Sequence, residues 1–176
     1  EGLAGLTFAR LAERLGVRTP SLYNHVAGLD GLRRELAVLG ARDLGARLAR
    51  ATSGKAGDDA LLALGHAYRA YAKEHPGVYA ASQLAPAADD AEWRTTGAEV
   101  VAIVLAALAG YGLPEDEGLH VVRGLRSLVH GFAMLENGQG FGLPLDLDES
   151  YDRLLRIFIA GLHAREVPVP TTAERT

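Results

Sequence analysis

An all-α fold is what this sequence predicts, on three observations. Only seven of 176 residues are proline, strand formers are sparse, and apolar residues recur at spacings of three and four almost throughout. The interruptions fall at glycines, prolines and short polar residues that start or stop helices rather than at hairpin turns.

Taken in order, Thr7 caps a short helix whose face is Phe8, Leu11, Ala12 and Leu15, and Gly16 closes it. After a tight turn, Thr19 caps a second short helix with Pro20 at its first position, continuing through Ser21, Leu22, Tyr23, Asn24 and His25. A long third helix begins at Leu29 or Asp30, carries Leu32, Leu36, Leu39, Leu44 and Leu48, and ends before the small, polar stretch 51–57. Asp58 or Asp59 caps a fourth, which Pro76 terminates, with Lys73 and His75 suiting its negative end. A short helix follows from Pro76 to about Gln83. The segment from Glu92 to Gly110 is apolar on nearly every face between Val100 and Leu108, which predicts the central buried helix. Pro114 opens another helix to about Glu136. Asp146 with Glu149 three residues on has the form of a capping box for the last, striped by Tyr151, Leu154, Leu155, Phe158, Ile159 and Leu162. A polar, proline-containing tail, 167–176, is expected to be disordered.

The net charge of −4 is an unexpected sign for a chain that meets phosphates, but the distribution is uneven. Residues 1–50 carry eight arginines against five acids, an excess of +3 that leaves −7 on the rest. A basic head on an acidic body is expected where only the head touches nucleic acid. The absence of cysteine excludes disulfide scaffolds and thiolate chemistry and suits a reducing cytoplasm. No signal peptide opens the chain, and the longest apolar run, Val100 to Leu108, is short for a bilayer, so a cytoplasmic protein without a membrane is expected.

The run from Leu6 to Val26, LTFARLAERLGVRTPSLYNHV, resembles the DNA-reading helix-turn-helix of the TetR family. Thr7 opens its first helix, Leu11-Ala12 fills it, Gly16-Val17 makes the turn, Ser21-Leu22-Tyr23 follows the cap, and Leu32 stands at the family's spacing beyond. The resemblance implies two domains: a helix-turn-helix at 1–46, and a helical domain at 47–166 that dimerises and senses a small molecule. It also implies operator DNA, an effector and a second copy of the chain as partners, and no cofactor. A recognition helix needs a short exposed face of polar side chains. Arg18, Thr19, Pro20, Ser21 and Asn24 are the candidates to reach bases, and Thr7, Tyr23 and His25 those for phosphate contact and orientation. Family members have a longer helix before this motif, where Glu1 to Gly5 stand here, which is the length expected of a fragment or of an incompletely ordered first helix. Their phosphate-binding lysine at the start of the third helix is matched by Leu29, with Arg33 and Arg34 the nearest substitutes.

Val129-His130-Gly131, His75-Pro76-Gly77 and Leu135-Glu136 resemble a branch of the family whose regulatory domain carries a tryptophan-histidine-glycine motif, without the tryptophan. A ligand site is expected among Tyr68, Tyr71, Tyr79, Trp93, Val104, Leu108, Arg126 and His130, because aromatic and polar groups from several helices converge there. His120, Arg123, Ser127, His130 and Met134 form one stripe on their helix. Val121-Leu125-Leu128-Phe132 and Leu154-Phe158-Leu162 offer more apolar surface than one small core needs, which places a dimer interface on the last two helices.

An enzyme is the alternative class, and its signatures fail. There is no HExxH and no GxSxG, and Gly54-Lys55 lacks the rest of a phosphate loop. No two of His66, His75, His120, His130 and His163 share the i, i+4 spacing of a helical metal site, and neither catalytic nor metal residues are assigned. A ligand-independent DNA-binding repressor or architectural factor is the other alternative. A cavity in the body separates the two, since a ligand-free protein has no reason to keep one.

Overall fold

The computed structural model describes residues 5–164, so the predicted tail lies outside the described residues. Eight α-helices follow in order: α1 Phe8–Leu15, α2 Thr19–Leu22, α3 Gly28–Thr52, α4 Gly57–Glu74, α5 Pro76–Ser82, α6 Ala91–Leu108, α7 Glu115–Asn137 and α8 Leu147–His163. A 3-10 turn, Ala109–Tyr111, extends α6. No strand occurs among the described residues.

The local signals act as the sequence suggests at most boundaries. Thr7 Oγ1 accepts from the Arg10 amide, and Gly16, at φ 66°, closes α1 in the left-handed region where a side chain is disfavoured. Asp146 Oδ1 accepts from the amides of Asp148 and Glu149, but Glu149 turns to Arg153 instead of reaching back, so the capping box is half made. Two starts differ from expectation. Helix α2 begins at Thr19 with Arg18 as its cap residue, and α4 begins at Gly57 with Ala56 before it. Asp58 is engaged elsewhere, accepting from the Tyr111 hydroxyl and lying 2.8 Å from His163 Nε2, so it ties α4 to the ends of α6 and α8.

Two apolar clusters form. The smaller joins Phe8, Ala12 and Leu22 with flanking Leu11, Val26, Leu29 and Leu32, so α1 and α2 sit on the start of α3. The larger spans α3, α4, α6, α7 and α8, with Tyr79 of α5, Tyr151, Leu48, Leu61, Leu64 and Leu155 almost wholly enclosed. Helix α3 packs on α4, α5 and α6, and α4 also on α7 and α8. It is α4 that occupies the centre.

Helix α6 is not the buried centre that its composition predicts: only Thr96, Val104, Ala107 and Leu108 are buried along it. Its exposed positions Ala98, Ala102 and Ala106 recur every four residues, so one face is apolar in kind but too small to demand burial. With its 3-10 extension this helix is 21 residues long, and an 18-residue window of it has a mean hydropathy of 1.3, so it is longer than the run Val100 to Leu108 but less apolar. It packs against α3, α4 and α7 within the bundle.

The stripes read as surplus on the last helices are also largely spent inside the subunit, since Val121, Leu125, Phe132 and Leu162 belong to the large core. The large apolar side chains left exposed on α7 and α8 are Leu119, Met134, Leu135 and Ile157.

Candidate functional sites: a DNA-reading head and a ligand pocket

Around α2 the chain turns tightly, with the His25 and Val26 amides donating to the Leu22 carbonyl. Leu22 is buried, whereas Thr7, Arg18, Pro20, Ser21, Tyr23, Asn24 and His25 are exposed and Thr19 is half-buried. The exposed face is therefore polar and continuous, while Phe8 beneath it meets the Tyr23 ring edge-on at 4.7 Å. That contact orients Tyr23, which nevertheless stays exposed. Arg33 is paired with Asp30 at 3.0 Å.

Arg34 is committed away from any phosphate. Its Nε and Nη2 donate to the two Asp90 oxygens at 2.6 and 2.8 Å, Nη2 also to Glu92 at 2.6 Å, and Nη1 to Glu35 at 2.7 Å. Arg42 donates to the other Glu92 oxygen at 2.8 Å. Asp90 caps α6 through the Trp93 amide as well. The two arginines of α3 thus grip the start of α6, and the Arg34 guanidinium is what holds Asp90 and Glu92 below the ordinary carboxylate range.

Between these helices lies a cavity of about 120 Å³. Ala41 and Leu44 of α3, Leu64 and Tyr68 of α4, and Ser82 and Gln83 beside α5 form one part of its wall. Gly97, Val100, Val101 and Val104 of α6 and Val122, Leu125, Arg126 and Val129 of α7 form the rest. Both α6 and α7 contribute residues at successive spacings of three, one and three, which is one face of a helix in each case.

Of the residues singled out from the sequence, Tyr68, Val104 and Arg126 line this cavity. Tyr71 is turned toward α3, its hydroxyl donating to the Gly40 carbonyl, and Leu108 belongs to the solid core. Trp93 stands at the first turn of α6, outside the wall. Tyr79 and His130 form a layer behind it: Tyr79 Oη lies 2.6 Å from His130 Nδ1 and 3.3 Å from Tyr68 Oη. Burial drives the Tyr79 phenol far above its ordinary range, and burial, then the Arg126 charge, lowers His130. Both side chains are therefore neutral near pH 7, and the phenol can donate to the imidazole. The wall residues absent from the sequence-based set are mostly valine and leucine, whose only signal was the three-one-three spacing.

A separate cluster closes α4 on α7. Arg69 donates to both Glu136 oxygens at 2.7 Å, and Lys73 to one of them at 2.6 Å. Arg69 is almost wholly buried and lies over the rings of Phe132 and Tyr151.

With this arrangement established, comparison with known proteins is decisive. The profile described as "Tetracyclin repressor-like, C-terminal domain" matches residues 61–158, more than half of the chain. The chain belongs to the TetR family of transcriptional regulators. It is 38% identical over 163 residues to the uncharacterised HTH-type transcriptional regulator YobS of Bacillus subtilis, covering 92% of this chain and 84% of that protein. It is 37% identical over 166 residues to the uncharacterised HTH-type transcriptional regulator Rv0681 of Mycobacterium tuberculosis, covering 94% and 76%. The crystal structure of the putative regulatory protein SCO4313 superposes with a TM-score of 0.70 at 25% identity, covering 88% of this chain and 85% of that one. A Rhodococcus protein of unknown function shares the fold at a TM-score of 0.71 and 24% identity, covering 90% and 85%. As a TetR family member the chain is a DNA-binding transcriptional regulator.

Proposed function

We propose that this TetR regulator is a repressor released from its operator by a small molecule that enters the α3–α4–α6–α7 cavity. The observation that carries the reading is that one helix serves both sites: α3 supports the exposed recognition segment at Gly28 and contributes Ala41 and Leu44 to the cavity wall. Arg34 and Arg42 fasten the same helix to α6, which forms another wall. A ligand that moves α6 relative to α4 or α7 therefore acts on the head through ion pairs as well as packing, and it shifts the DNA equilibrium by its differential affinity for the two arrangements. Residues 47–166 constitute the regulatory domain in this reading, with α3 shared between it and the head, and the cavity favours it over ligand-independent repression.

Arg18, Thr19, Pro20, Ser21 and Asn24 are assigned to base contacts and Thr7, Tyr23 and His25 to phosphates. With a duplex selected from random sequence by the full chain, Arg18→Ala should weaken binding by about 1 to 3 kcal/mol if the guanidinium reads a guanine, and relax preference at one position of the site. Equal weakening on every sequence would assign it to the phosphates. Undiminished affinity would remove it from the interface.

The subunit should pair about a two-fold axis through α7 and α8, on which Leu119, Met134, Leu135 and Ile157 are exposed. Ile157→Asp, at a side chain 69% exposed in the single chain, should leave the fold intact and shift light scattering at micromolar concentration from dimer to monomer. A wild-type monomer under those conditions refutes the assignment.

A further inference from the structure

The cavity's charge and size identify a class of ligand. Among the described residues Arg126 is the one charged side chain in its wall, and the remaining polar groups there, Tyr68, Ser82 and Gln83, are neutral. Arg34, Arg42, Arg47, Arg69, Arg153 and Arg156 each pair with a carboxylate. Arg126 does not: its partner among the described residues is the Gln83 side chain, whose Oε1 accepts from Nη2 at 3.0 Å. Four guanidinium hydrogens stay available for a planar anion, the geometry that arginine matches best. Val100 and Val104 of α6 and Leu125 of α7 supply apolar wall, and at Gly97 a Cβ would meet nothing within 4 Å, so the space continues to the α6 backbone. A cavity of about 120 Å³ is close to what a single benzene ring fills.

Resting on the ligand-responsive reading above, we infer that the cavity takes a compact amphipathic monocarboxylate, its carboxylate on Arg126 at the rim and a six- to eight-carbon aromatic or aliphatic body against α6 and α7. A cationic ligand is opposed by the same charge, and a neutral one leaves the guanidinium unused.

The test measures dissociation constants at pH 7 by ligand-observed NMR on the full chain, using benzoate and hexanoate, their amides benzamide and hexanamide, and their amines benzylamine and hexylamine. At least one acid should bind at millimolar concentration or tighter, with its amide weaker by about ten- to a hundredfold, as loss of a charge-assisted hydrogen bond implies, and its amine weaker still. Arg126→Gln, at an exposed position, should erase the preference of acid over amide. Gly97→Leu should abolish binding of every probe by filling the space.

If acid and amide bind equally, or Arg126→Gln keeps the preference, the anion assignment is overturned while the pocket stands. Binding of the amides or amines alone overturns it in the same way. If no probe binds, or Gly97→Leu leaves binding unaltered, the assignment falls together with the cavity as the sensing site.

Discussion

Replacing Arg69 with methionine should cost about 3 kcal/mol of folding stability, because it leaves the nearly buried Glu136 carboxylate with Lys73 as its remaining partner. The cost falls on an uncompensated charge rather than on lost packing, since methionine keeps much of the stem over Phe132 and Tyr151. For a chain of this size the melting midpoint should drop by roughly 6 to 12 °C. Glu136→Gln combined with Arg69→Met should recover part of the loss, because the stranded charge is then removed as well. A single-variant loss below about 1 kcal/mol would mean that water or Lys73 neutralises Glu136 unaided. The pair also gives stability a pH dependence of known sign. Arg69, ahead of Lys73, depresses Glu136 below its ordinary value of 4.5. Its contribution is accordingly complete above that pH in the wild type and is lost as pH falls through the lower folded value. In acid melts the stability difference between the wild type and the double variant should shrink as pH falls through that lower value.

The second large effect contrasts two glycines in helices that face different surroundings. A Cβ at Gly40 would lie 2.8 Å from both Val78 Cγ1 and the Val78 carbonyl oxygen, and the carbonyl belongs to the α5 backbone. Gly40→Ala should therefore push α5 from α3 and cost about 3 kcal/mol, at the upper end of overpacking losses. It should also disturb the cavity, because α5 holds Ser82 beside Gln83 in the wall. At Gly97 the same change meets open space and should stabilise by about 0.5 to 1 kcal/mol through helix propensity alone. Denaturant unfolding of the two variants decides the matter. Equal effects would mean that α3 and α5 are not in close contact in solution.

The order of helices, the Thr7 and Gly16 caps and the helix-turn-helix were legible because each is written in neighbouring residues. What could not be read depends on distance along the chain. Arg34 with Asp90, 56 residues apart, and Arg69 with Glu136, 67 apart, have no local pattern. The Arg34 reading in particular depended on its place near the start of α3, where a phosphate contact is as reasonable as an ion pair. Helix α6 misled for a different reason: hydropathy counts Ala98, Ala102 and Ala106 as apolar, yet an alanine face buries so little area that it can meet water at small cost. The aromatic residues drew attention to the cavity's neighbourhood, but Tyr79 and His130 support its wall from behind and Tyr71 faces α3. Aliphatic walls carry no chemical mark. Arg126, whose partner among the described residues is Gln83 rather than an acid, marks this hollow apart from ordinary core.

The unbroken run of α3 from Gly28 to Thr52 also sets a gear ratio between the two ends of the molecule. At 1.5 Å of rise per residue, Gly28 lies about 24 Å along the axis from Leu44. A tilt of about 10° pivoting at Leu44 would carry the head through about 4 Å, more than the roughly 3.4 Å that separates successive base steps. In a two-fold pair the displacements are mirrored, so two heads set one helical turn of DNA apart would lose register together. A lever of this length would let the proposed small carboxylate work across a distance several times its own size.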